Sequence, residues 1–170
     1  ATLLEGNFIP KSLLPAYESV ARDLLKRLDQ LFAENPAKAI RLHGDCHPGN
    51  LLCRDETYHM VDLDDCRMGP AIQDLWMMLA GERHERLGQI AELVDGYQEF
   101  HDFNPRELPL IEGFRSLRLM HYSAWLARRW DDPAFPQSFP WFGSERYWGE
   151  QILMLREQIA ALNEEPLRLF

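Results

Sequence analysis

The run Arg41-Leu-His43-Gly44-Asp45-Cys46-His47-Pro48-Gly49-Asn50 most constrains what this 170-residue chain can become. Proline presets φ and glycine tolerates conformations other residues avoid, so Pro48-Gly49 predicts a tight loop. Such a loop lets Asp45 and Asn50 point into one place, which ordinary helix or strand spacing does less well. Next come an apolar stretch, Leu51-Leu52-Cys53, a polar turn, Arg54-Asp55-Glu56-Thr57, and a second extended stretch from Tyr58 to Val61. That order reads as a hairpin delivering Asp62 back beside Asn50.

These three side chains fit one chemistry. Phosphoryl transfer needs a carboxylate to accept the proton of an incoming hydroxyl, and oxygen ligands that hold magnesium against phosphates. Asp45, Asn50 and Asp62 suit those jobs.

At these residues the chain resembles the aminoglycoside phosphotransferase and choline kinase superfamily, whose loop reads His-x-Asp with an asparagine further on. Within it, His43 to Asn50 and Val61-Asp-Leu-Asp-Asp65 look most like the bacterial stress response kinases, which are Ser/Thr protein kinases of this fold. The similarity continues through Gly69-Pro-Ala-Ile-Gln-Asp74-Leu-Trp76, Ala124-Trp-Leu-Ala-Arg-Arg-Trp130 and Asp132-Pro-Ala-Phe-Pro136. The resemblance implies Asp45 as catalytic base, Asn50 and Asp62 as Mg²⁺ ligands, ATP as phosphate donor, and Asp74 as a brace for the catalytic loop. His43 is expected to hold that loop as a structural histidine. The acceptor is a protein Ser/Thr side chain by the closer resemblance; a small alcohol of the choline, homoserine or aminoglycoside type stays open, as does a non-catalytic binding domain. Trp125, Trp130 and Trp141 are candidates for an aromatic cage around a cationic alcohol.

Members of the superfamily also carry an N-terminal lobe with a nucleotide-covering loop and a strand-borne lysine. The 44 residues before Asp45 contain only Gly6 and Gly44 and no Gly-x-Gly-x-x-Gly run. The expectation is therefore a C-terminal catalytic lobe, residues 1–170, that lacks its nucleotide lobe, has no assignable nucleotide-binding residues, and is inactive alone.

Composition narrows the partners. A formal charge of −9, with lysine only at positions 11, 26 and 38, disfavours nucleic acid, whose phosphates call for clustered basic residues. Cys46, Cys53 and Cys66 show no disulfide-scaffold spacing, and no stretch approaches the length of a membrane span. A cytoplasmic protein, with no membrane partner, is the expectation.

The rest of the chain reads as helices. Leu13, Tyr17, Val20, Leu24, Leu28 and Leu31 recur every three or four positions and predict an amphipathic helix that Asn35-Pro36 stops. Residues 39–42 read as an extended segment. A helix is expected to begin at Pro70 and run on the Ile72, Leu75, Trp76, Leu79 face to Gly81. Others are expected through Ile90 to Phe100, over Leu110 to Trp130, and over Glu145 to Leu162. Residues 131–142, with three prolines among Phe135, Phe139 and Trp141, predict a packed loop without regular helix. The fold class is α+β, mainly α-helical, with one small catalytic β-hairpin, as in a protein-kinase-like C-terminal lobe.

Competing readings are weaker. Met60-Val-Asp62-Leu-Asp64 also resembles the aspartate pair of haloacid-dehalogenase-type phosphatases, but that chemistry needs a downstream lysine and none follows Lys38. The His and Cys residues between 43 and 66 match no zinc spacing. Asp64 and Asp65 read as caps or supports of the metal site, Arg128-Arg129 as a solvated helix face, and Cys46 as packing.

Overall fold

The computed structural model describes residues 2–169. These fall into two compact units: the chain up to Phe32 with Glu112–Glu165, and Ala33–Ile111 with the residues from Pro166.

In the first unit, α1 (Thr2–Glu5) precedes α2 (Leu14–Glu34), most of which lies here. Tyr17, Val20, Ala21, Leu24 and Leu28 form the buried stripe of α2, as its periodicity predicts. That helix stops where Pro36 restricts the residue before it. On its exposed side, Glu18 pairs with Arg22 and Asp23 with Arg27, four residues apart; such surface pairs contribute only about 0.3–0.5 kcal/mol each. The stripe packs against Leu126 and Ala127 of α5 (Leu110–Arg128), Phe142, and Trp148, Ile152 and Leu155 of α7 (Glu145–Ala161). Each large apolar side chain so buried stabilises the fold by roughly 1.5–3 kcal/mol relative to exposure. Ser144 starts α7 by accepting a hydrogen bond from the Tyr147 amide at 3.2 Å.

The segment expected to lack regular helix instead contains α6 (Ala134–Ser138). This helix tolerates Pro136 because it is a single turn: a proline among the first residues removes an amide that has no intrahelical partner anyway. The tryptophans considered as a cage each pack against an aromatic neighbour, Trp141 while still exposed. Trp125 meets Phe135 at 5.2 Å and carries the Arg129 guanidinium over its ring at 4.7 Å, Trp130 meets Phe142 at 4.9 Å, and Trp141 meets Tyr147 at 4.8 Å. Arg129 is thus a cation–π partner, not merely a solvated charge.

The second unit holds β1 (Ile40–Leu42), the hairpin β2 (Leu51–Arg54) and β3 (Thr57–Met60), then β4 (Arg67–Gly69). The hairpin is antiparallel, with Leu51 opposite Met60 and Arg54 opposite Thr57. Its two-residue turn puts Asp55 and Glu56 at φ +49° and +60°, the left-handed geometry that matches strand twist. A second antiparallel pair, unannounced by the sequence, joins β1 to β4, with Ile40 opposite Gly69 and Leu42 opposite Arg67.

After β4, the helix expected to reach Gly81 is broken: α3 covers only Ile72–Leu75, and Trp76–Met78 tighten into a 3₁₀ turn. α4 (Arg83–Gln98) follows, ending before Phe100, which is 90% exposed instead of lying on a buried face. Asn104 opens the turn Pro105–Glu107 by accepting from the Arg106 amide at 3.2 Å. Leu42, Ile72, Trp76, Leu79, Ile90, Val94, Leu108 and Ile111 are among the buried apolar residues of this unit's body. Among the described residues, no helix is long and apolar enough to cross a membrane.

Candidate active site

The loop leaving β1 is held mainly through its backbone. Asp74, on α3, accepts the His43 amide on Oδ2 at 2.8 Å and the Gly44 amide on Oδ1 at 2.9 Å. Two successive amides on one carboxylate are charge-assisted bonds, each stronger than a neutral pair. The bracing expected of Asp74 is therefore what its geometry can do.

His43 is buried and ties the loop to the far end of the hairpin. Its Nε2 donates to the Val61 carbonyl at 2.8 Å, and its Nδ1 accepts the Asp45 amide at 3.3 Å. A carbonyl can only accept, so the tautomer is set by its partners: hydrogen on Nε2, lone pair on Nδ1.

Gly44 sits at φ +87°, and a Cβ there would stand 2.1 Å from the Asp65 carbonyl oxygen. Both conformation and space require glycine. Its chain neighbour Asp45 is half-buried, with its side chain 21% exposed, so the carboxylate is both held and reachable.

Pro48–Asn50 forms one 3₁₀ turn that closes the loop. His47 caps it, accepting the Gly49 amide on Nδ1 at 3.0 Å, and presents Nε2 to Asp45 Oδ2 at 3.5 Å. Asn50 is buried and donates Nδ2 to the Asp45 carbonyl at 2.9 Å. Its amide oxygen is then the atom left for a cation. The Val61 amide donates to the Asn50 carbonyl at 3.1 Å, so the hairpin brings Asp62 back beside Asn50, as the sequence leads one to expect. Asp62 is exposed and sits in the left-handed region at φ +63° and ψ +64°, with no cap bond from its side chain. A non-glycine residue there is uncommon and clusters at functional sites.

Asn50 and Asp62 suit magnesium. That ion favours hard oxygen donors and usually takes only one or two protein side chains, completing its shell with phosphate oxygens and water. Among the described residues there is no group of three or more His, Cys, Asp or Glu that could hold a metal.

The neighbouring carboxylates differ in their surroundings. Asp65 pairs with Arg67, whose Nη2 donates to Oδ1 at 3.0 Å and whose Nε donates to the Asp65 carbonyl at 2.9 Å. Asp64 lies exposed in the same 3₁₀ turn, Leu63–Asp65. Cys46 is buried, and burial first, with the Asp74 and Asp45 carboxylates second, pushes its thiol up to about 11. A thiol so raised is a poor nucleophile, in keeping with a packing role.

One residue of the site escaped the sequence reading. Glu107, 4% exposed, accepts the Ile72 amide on Oε2 at 3.1 Å, at the start of the helix that bears Asp74. Burial raises its carboxyl above the ordinary value, opposed by the backbone bonds from Ile72 and Ala71. Asn104-Pro105 marked a turn in the sequence, but nothing local marked its last residue as buried.

The structure brings a loop carboxylate, a buried loop asparagine and an aspartate returned by a hairpin onto adjoining turns, and comparison with known proteins places the chain in a family of phosphotransferases. Residues 9–111 match the model of the phosphotransferase enzyme family, APH, and the chain belongs to that family. It is 45% identical over 165 residues to stress response kinase A of Escherichia coli O157:H7, and 45% identical over 165 residues to the serine/threonine protein kinase RdoA of Salmonella typhimurium strain LT2. Each alignment takes in 97% of this chain and 50% of the relative, so the chain spans about half the length of the curated relatives it matches. The solved structure of amicoumacin kinase hAmiN, in complex with AMP-PNP, Ca²⁺ and Ami, aligns with a TM-score of 0.57 at 19% identity, covering 99% of this chain and 50% of that one. The shared fold is kinase-like, mainly helical with small antiparallel sheets, as the sequence led one to expect.

Proposed function

We propose that this chain is the C-terminal catalytic lobe of a Mg²⁺- and ATP-dependent phosphotransferase acting on Ser/Thr side chains of proteins. The observation that carries the reading is the bonding within one loop: Asn50 Nδ2 on the Asp45 carbonyl and Val61 on the Asn50 carbonyl hold base and cation ligands together. The protein acceptor rests on the 45% identity to kinases named for stress response and for serine/threonine specificity.

In this reading an acceptor hydroxyl reaches the partly exposed Asp45 carboxylate. Asp45 orients the hydroxyl and takes its proton as the acceptor oxygen forms its bond to the γ-phosphorus and the bond to ADP breaks. His47, pinned by the Gly49 amide, steadies the Asp45 carboxylate from one side. Asn50 Oδ1 and the Asp62 carboxylate would hold the cation. Bound Mg²⁺ neutralises phosphate charge. Tyr58 and Met60, on one face of the hairpin, are 72% and 50% accessible, which supports a nucleotide lobe as their cover.

The test is transfer of labelled γ-phosphate from Mg-ATP by the chain alone and by the protein completed with the family's nucleotide lobe, scored separately on protein and on small alcohols. Losing a general base costs about 10²- to 10⁴-fold. Asp45→Asn is therefore expected to abolish most turnover while keeping nucleotide affinity, whereas Asp62→Asn weakens Mg-nucleotide binding itself. Normal turnover by Asp45→Asn would sink the assignment, and Asp45-dependent label on small alcohols alone would move the protein to the metabolite kinases.

A further inference from the structure

We propose that Glu107 is a positioning residue of this site, fixing Asp74 through the start of α3 and, through Asp74, the backbone of the loop that bears Asp45. The inference rests on the phosphotransfer reading. It follows from a short run of bonds: Glu107 Oε2 accepts the Ile72 amide at 3.1 Å, and two residues on, Asp74 accepts the amides of His43 and Gly44 at 2.8 and 2.9 Å.

α3 cannot supply its own rigidity. It is four residues long, and its flanking residue Ala71 makes no side-chain cap bond. A single helical turn is unfavourable in isolation, because fixing its dihedrals returns about one hydrogen bond. Whatever holds the turn must come from outside it, and Glu107 supplies acceptors for the Ile72 and Ala71 amides. With only one turn between the capped amide and Asp74, displacing the cap displaces the Asp74 carboxylate.

The choice of residue points the same way. Glu107 is 4% exposed, and burying a carboxyl is costly unless hydrogen bonds repay it. For core packing alone, an apolar side chain at the end of the Pro105–Glu107 turn would serve better. Tyr97 feels both acids: its hydroxyl is raised first by burial, then by Glu107, then by Asp74.

A plain helix cap and a positioning residue differ in what they disturb. Displacing a catalytic group by about 1 Å can cost on the order of 100-fold in rate. In the two-lobed protein, Glu107→Ala and Glu107→Asp, which withdraws the acceptor by one methylene, are expected to lower kcat by about 10- to 100-fold with the KM for nucleotide within about twofold. Glu107→Gln, which keeps an acceptor oxygen in place, is expected to retain most of kcat. Glu107→Asp combined with Asp74→Asn is expected to be no slower than Asp74→Asn alone, because both act through one carboxylate. Hydrogen exchange reads the link without turnover: the His43 and Gly44 amides exchange about tenfold faster in Glu107→Asp, while amides of Trp148 and Leu155 in the other unit do not change. Unchanged exchange at His43 and Gly44 in a folded variant, or kinetic losses that add in full, would overturn the proposal. A wild-type protein with no Asp45-dependent transfer would remove the catalytic reading, and the exchange comparison would still decide whether Glu107 holds the loop.

Discussion

His43 Nε2 donates to the carbonyl oxygen of Val61 at 2.8 Å, so one imidazole spans from the loop of Asp45 to the residue just before Asp62. Its other nitrogen accepts the Asp45 amide. Removing the ring strands a carbonyl and an amide, each costing about 1–3 kcal/mol when buried without a partner. His43→Ala is expected to destabilise the protein by roughly 2–4 kcal/mol, and His43→Gln, which restores a donor near the Nε2 position, by clearly less. Urea titration of the three proteins checks the order; equal losses for both variants would show that the bridge does not matter.

Gly44 offers a test of loop geometry. At φ +87°, with a Cβ building to 2.1 Å from Asp65 O, alanine meets both a conformational penalty of about 1–2 kcal/mol and a backbone clash. Gly44→Ala is expected to lose more than that in stability and to lose turnover with it. An alanine variant of native stability would show that the left-handed conformation is not required.

Cys46 is predicted to resist modification. With its thiol raised from 9.0 to about 11, it carries about 100-fold less thiolate near neutral pH than an unperturbed cysteine. Cys53 and Cys66 are exposed. Iodoacetamide at pH 7.5 followed by peptide mapping should label those two first. Labelling of Cys46 at the rate of Cys53 would contradict the packing around it.

Glu107 ties stability to pH. Its folded-state carboxyl lies above the ordinary 4.5 because burial outweighs the backbone bonds from Ile72 and Ala71. Between 4.5 and that raised value the folded protein holds a proton that the unfolded chain has lost, so this group's contribution is complete below 4.5 and declines as pH rises through the interval. The stability difference between wild type and Glu107→Gln should therefore become less favourable to wild type from pH 4 towards pH 7. Urea titrations across that range check it, and a difference growing with pH would mean that the folded state prefers the ionised carboxylate.

The amino-acid sequence by itself determined the parts of this protein that are close along the chain. Asp45, Asn50 and Asp62 lie within 18 residues, and the spacing imposed by Pro48-Gly49 and a two-residue turn is local covalent geometry, which survives any packing. The stripe of α2 was legible for the same reason, since a period of 3.6 residues is a property of the backbone. Only the tertiary structure decided what holds those parts: the pairing of β1 with β4, the early end of α3, the single turn of α6, and the bonds from Asp74 and Glu107. Three-residue strands such as Arg67-Met-Gly69 have too little propensity to declare themselves. The burial that gives Glu107 its partners exists only once segments 35 residues apart have packed, where every enclosed polar group must find a hydrogen bond.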